Sequence, residues 1–174
     1  MGQYYKAIIL GEPSDREEIM IWLDPYQYNE GSKLTEHAWT DSNFVGAVCA
    51  LLCPGAMYYK SRVVWAGDYA DVEPCTITPE NAGINLYHMA EALPVLAKPE
   101  PVFYPYLVNH TKCQYITIGK GSHPLPLLTA EGNGRGGGDY RDQGPVGAWA
   151  RDVLSVEPER PYMVEIAWPL PTKS

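Results

Sequence analysis

The apolar residues of this chain recur with two periods, and the period predicts the element. Residues 4–10 are rich in aromatic and β-branched side chains and stop at Gly11, which predicts a strand. Residues 19–23, closed by Asp24 and Pro25, predict a second strand. The polar run 12–18 between them reads as the charged tip of a hairpin, and 26–33 as a polar, aromatic loop. Residues 34–39 read as a short strand. Beyond them, Phe44, Val45, Val48, Cys49, Leu51 and Leu52 follow helical spacing. Asp41 or Ser42 supplies an N-cap and Pro54-Gly55 a stop, which predicts a helix over 42–53. Residues 62–66 predict a strand and 72–84 an irregular stretch. Leu86, Met89, Ala90 and Leu93 predict a second helix over 85–93, ended by Pro94.

Pro94, Pro99, Pro101 and Pro105 make 94–105 an extended crossing segment, because proline has no N–H to give a sheet ladder. The remainder is β-rich. Tyr106–Asn109 and residues 115–118 flank a hairpin turn at 110–114, and 149–156 and 162–168 read as two further strands. Six or more strands and two helices, near 42–53 and 85–93, describe a single α+β domain over 1–174 with a mostly antiparallel sheet.

One stretch obeys neither period. Gly132-Asn133-Gly134-Arg135-Gly136-Gly137-Gly138 holds five glycines in seven positions, which suits neither helix nor strand. Successive glycine N–H groups can cradle an anion, with Arg135 or Arg141 adding charge. The loop is no Walker A motif, since no Lys-Ser/Thr follows it, and no strand–loop–helix context makes it a dinucleotide fingerprint. The plainer reading is a surface loop. The loop ends in Gly138-Asp139-Tyr140-Arg141-Asp142, and the same Gly-Asp-Tyr-x-Asp word occurs at Gly67-Asp68-Tyr69-Ala70-Asp71. Trp65-Ala66-Gly67-Asp68 and Trp149-Ala150-Arg151-Asp152 share a second word in a different order, so this is recurrence and no tandem repeat. If the two turns meet, they form a ligand site from Trp65, Asp68, Tyr69, Asn109, His110, Asn133, Arg135, Asp139, Tyr140 and Arg141. The alternative is a metal-dependent hydrolase, in which Asp68, Asp71, Asp139 and Asp142 hold Mg²⁺ or Ca²⁺ beside His110. Against both stands the ordinary job of aspartate, which is to cap turns.

Composition narrows the classes. Hydrophobic residues make up 45% and charged residues 20% of 174, an ordinary balance for a globular protein. A net charge of −8 with scattered cations argues against nucleic acid as partner and leaves a basic protein partner open. No apolar run is long enough to span a bilayer, and residues 1–10 lack a signal-peptide pattern, so the expected setting is cytoplasmic. Cys49 and Cys53 share a helix face, yet no CxxC or nearby histidine accompanies them, so buried thiols are expected and no metal. His37, His88, His110 and His123 have no serine or cysteine in an elbow context, which leaves no nucleophilic triad to argue. His110, between Asn109 and Thr111 with Lys112 nearby, is the preferred exception. Thirteen tyrosines and five tryptophans against two phenylalanines leave room for an aromatic-walled pocket, with Trp65, Tyr69, Tyr140 and Trp149 near the carboxylates.

The opening Met1-Gly2-Gln3-Tyr4-Tyr5-Lys6, with residues 64–71, 106–110 and the glycine-rich segment, resembles an uncharacterised bacterial protein family over most of the chain. The resemblance implies a bacterial or phage cytoplasm and lends no activity, cofactor or catalytic residue. The expected function is binding of a small polar or phosphorylated ligand between the glycine loop and the 65–71 turn. The hydrolase is second, and a protein-interaction module of inhibitor or immunity type is third. A homodimer is compatible with all three.

Overall fold

The computed structural model describes residues 3–95, 98–130 and 146–168. In chain order the elements are β1 (Tyr5–Leu10), β2 (Ile19–Leu23), α1 (Leu34–His37), α2 (Asn43–Leu52), β3 (Ser61–Gly67), α3 (Leu86–Glu91), β4 (Tyr106–Asn109), β5 (Gln114–Thr117), β6 (Val153–Glu157) and β7 (Val164–Glu165). Short 3-10 turns occupy Pro25–Tyr28, Pro74–Thr76 and Leu125–Leu128. The strands form one seven-stranded sheet in the order β2-β1-β3-β6-β4-β5-β7. Every pairing is antiparallel except β5 with β7. The architecture is α+β, as the periodicity predicts, with three helices where two were expected.

β1 is buried along its whole length because both faces of this half of the sheet are covered. Tyr5, Ala7 and Ile9 point into the larger core with Val63 and Trp65 of β3, Leu154 and Val156 of β6, and the underside of α2. Ile8 and Leu10 point the other way, with Val64 and Ala66, against Leu86 and Ala90 of α3. A strand covered twice reads as a near-continuous apolar run, and residues 4–10 read so except at Lys6, whose ammonium pairs with Glu91 at 3.1 Å. Each large side chain sunk in this way contributes roughly 1.5–3 kcal/mol.

α2 buries seven of its ten residues, and its start is secured twice. The Ser42 hydroxyl accepts from Val45 N–H at 3.1 Å, and the Glu30 carboxylate accepts from Phe44 N–H at 3.1 Å. A carboxylate there also opposes the positive end of the helix dipole. Gly46 lets the proline-rich segment lie directly on the helix. Its carbonyl accepts from Val102 N–H at 2.9 Å, and an added Cβ would fall 2.8 Å from Pro101 Cβ and 2.9 Å from the Phe103 ring. Gly46→Ala is therefore expected to lower stability by about 1 kcal/mol, overpacking outweighing the gain in helix propensity. Urea unfolding checks this, and a raised midpoint would mean that the segment is not held against α2.

The structure corrects three expectations. Residues 34–37 form one turn of helix, not a strand. Leu34, His37 and Ala38 are all buried at helical spacing, and the Glu36 side chain turns back to accept from Lys33 N–H at 3.0 Å. Trp149 lies in a turn, and the strand that follows starts only at Val153, where β3 offers an edge. In place of a strand over 162–168, only Val164–Glu165 pairs, as an exposed strand at the edge of the sheet.

Candidate functional site

Among the described residues, those nominated by the sequence divide between the two ends of β3. Ser61 and Arg62 pair with Leu154 and Val153 of β6, and Asn109 pairs with that same Leu154, so the 109–112 turn lies by the start of β3. The 65–71 turn leaves its other end. At about 3.3 Å per strand residue the two are roughly 20 Å apart, so they form no common site.

Their individual environments point the same way. Trp65 is 1% exposed, and its indole N–H donates to His37 Nε2 at 3.0 Å, so it lines the core and no open pocket. Trp149 is buried as well. Asp68 accepts from Tyr4 N–H at 3.1 Å and works as a turn residue, while Tyr69 is partly exposed beside it. Asn109 is fully buried. Its amide donates to Asp152 Oδ2 at 2.7 Å and its Oδ1 accepts from Lys112 N–H at 2.8 Å, which closes the hairpin. Half-buried His110 meets the Ser155 hydroxyl at 2.7 Å, and that hydroxyl donates to Glu157 at 2.6 Å. The carboxylate here sits on the serine and not behind the imidazole, and Ser155 is fully buried in mid-strand, so this is no nucleophile. Burial, and then the nearby Lys60 charge, hold His110 below the usual histidine range. Asp71 is exposed. Asn133, Arg135, Asp139, Tyr140, Arg141, Asp142 and the whole 132–138 loop lie outside the described residues. Among the described residues no three His, Cys, Asp or Glu side chains converge as a metal site.

A different place draws attention on physical grounds. The backbone of 38–40 pairs with 121–123 through a Trp39–Ser122 bridge, with Thr40 N–H donating to Gly121 O and His123 N–H to Ala38 O. Gly121 has φ +111°, a conformation only glycine takes without strain, and the turn it makes delivers His123 under α2. The ring of His123 is 3% exposed and lines a pocket of about 330 Å³ between α2, residues 102–105 and residues 118–120. Neither of its ring nitrogens has a hydrogen-bond partner among the described residues. His37, equally buried, shows the usual solution. Its Nδ1–H donates to Gly31 O at 2.9 Å and its Nε2 accepts from Trp65. Leaving a buried polar group unmatched costs about 1–3 kcal/mol.

Burial, reinforced by neighbouring His37, pushes His123 down to about 3, so the ring is neutral near pH 7. Water does not satisfy it from behind. The core void on that side is only about 10 Å³ and is otherwise lined by apolar residues and Cys49, so a water there would lack partners. Burial also pushes the Cys49 thiol up to about 12, which keeps it protonated near pH 7. Cys53, expected to be buried like Cys49, is only partly so; its Sγ lies 3.4 Å from Ala50 O, and neither cysteine is in a disulfide.

A larger cleft of about 920 Å³ opens beside Glu12, Glu18, Lys60, Arg62 and Arg151. Its arginines are committed. Arg62 forks onto both oxygens of Glu17 at 3.1 and 3.2 Å, and Arg151 bridges Glu17 and Glu73. The His123 pocket, with its unmatched polar group, is the stronger candidate. Sequence reading registered His123 only as one of four histidines with no nucleophile to partner; the 38–40 segment and α2 that bury it are far away in the chain. No model of a known protein family, no curated protein and no solved structure matches the chain.

Proposed function

We propose that the protein binds a small molecule in the pocket under α2, with His123 as its buried recognition group. The observation that carries this reading is the pair of unmatched nitrogens on a buried, neutral imidazole beside an open pocket. A volume of about 330 Å³ is at the low end for ligand pockets, which run from roughly 300 to 1,000 Å³. Both nitrogens are closed off from solvent in the free protein, so a ligand reaches them only when the side chains around the ring give way, and the N–H donor and nitrogen acceptor then gain the partners they lack.

The test is a change of opposite sign in two measurements. His123→Phe is expected to abolish fragment binding at the pocket while raising stability by about 1–2 kcal/mol, a few degrees in Tm for a chain of this size. A variant that binds the same fragments as the parent would sink the proposal. A second reading keeps the ligand between the glycine-rich segment and the 65–71 turn. It has one support: Ala130 N–H donates to Trp65 O at 2.8 Å, so the chain enters that segment beside the turn.

A further inference from the structure

We propose that the ligand of this pocket is an anionic amphiphile of about one ring: an acid group at the mouth, an apolar body along α2, and a neutral hydroxyl or amide at His123. This rests on the pocket being a ligand site.

The order of chemistry from mouth to floor carries it. Lys120 lines the pocket and is exposed whereas His123 is buried, which puts the lysine toward the mouth, and no aspartate or glutamate lines any part of the pocket. Lys120 is exposed and forms no ion pair among the described residues. In a chain of net charge −8, a pocket whose one fixed charge is positive is a local reversal of sign. An anion is drawn to it and a cation is not. The wall holds Val45, Val102, Phe103 and Ile118 with the uncharged Thr40 and Tyr104 among them, which suits a flat, mainly apolar body and offers it no charge. At the floor the dry imidazole excludes a charged head, because an ion there would leave water without a countercharge. A hydroxyl suits it best, since it both donates and accepts. The small volume limits the body to the scale of a single substituted ring.

Four probes of one size separate the parts: 4-hydroxybenzoate, 4-hydroxybenzamide, benzoate and tyramine. Each is titrated into the ¹⁵N-labelled protein at pH 7, following the amides of Gly46, Gly119 and Lys120. 4-Hydroxybenzoate is expected to bind about two- to fivefold more tightly than 4-hydroxybenzamide, the scale of one exposed charge pair, with tyramine weakest. Benzoate, lacking the hydroxyl, is expected to bind about fivefold or more weakly than 4-hydroxybenzoate. Lys120→Met is expected to bring the acid and the amide to equal affinity without altering Tm, and added salt to act in the same direction. Equal binding of tyramine and 4-hydroxybenzoate, or a preference that survives Lys120→Met, overturns the anionic class and leaves the pocket reading standing. Equal binding of benzoate and 4-hydroxybenzoate overturns the neutral head. If no probe moves the three amides, both this inference and the pocket itself are overturned.

Discussion

Arg151→Met is expected to destabilise the protein by about 2–4 kcal/mol, somewhat below the cost of breaking a fully buried ion pair. The reason is what it strands. Arg151 bridges Glu17 and Glu73, and the side chains of those glutamates are only 11% and 9% exposed. Glu17 keeps Arg62 at 3.1 Å, but Glu73 would be left with a largely desolvated charge. The discount from the buried-pair figure is for the 21% of the Arg151 side chain that remains in solvent. Lysine should recover less than half of the loss, because one ammonium cannot reproduce a fork that reaches two carboxylates. Removing the stranded charge as well, in Arg151→Met with Glu73→Gln, should cost less than the two single changes added together. Arg151 also sits at φ 68°, a left-handed conformation that costs a non-glycine residue about 1 kcal/mol. Arg151→Gly should therefore be less harmful than Arg151→Met. Urea unfolding at pH 7 reads all four, and a methionine variant within about 0.5 kcal/mol of the parent would contradict the account.

Stability is expected to be nearly flat between about pH 7 and 8 and to fall steadily below about pH 6.5. His123 titrates near 3 when folded and near 6.5 when unfolded. Across that window the unfolded chain takes a proton that the folded chain refuses, so acid favours unfolding. The slope is roughly 1.4 kcal/mol per pH unit for each such group. His37, lowered by burial, and His110, lowered by burial and Lys60, act in the same direction. From pH 6.5 to 5, His123 alone should remove roughly 2 kcal/mol, a large share of a typical stability of 5–15 kcal/mol. His123→Phe removes one of these protons and should flatten the curve by that amount. The measurement is a series of urea titrations between pH 7 and 4.5, and identical slopes for parent and variant would refute it.

Local features were legible in the sequence and long-range ones were not. The β1–β2 hairpin, α2 with its Ser42 cap and the β4–β5 hairpin each depend on residues within one short window, where periodicity and capping act. Residues 34–39 misled because a single helical turn is too short to show its period, and only burial of Leu34 and His37 together reveals it. The repeated Gly-Asp-Tyr-x-Asp word drew attention to Asp68, whose carboxylate is taken up by the Tyr4 backbone. At 67–71 the word is the turn by which the chain leaves β3, and its second copy lies outside the described residues. His123 looked unremarkable because what makes it unusual is an absence of partners, set by Ala38, α2 and residues 102–105, none of them near it in sequence.

The position of β6 has a further consequence. It lies between β3 and β4, and 89 residues separate Arg62 from Arg151, whose carbonyl the arginine holds at 3.1 Å. During synthesis the three-stranded β2-β1-β3 piece and the β4-β5 hairpin can form separately, each exposing one bare edge to the other. Closing so long a loop is slow, and bare edges invite pairing with other chains. The strand that completes the sheet also protects the nascent chain from its neighbours, and it arrives late.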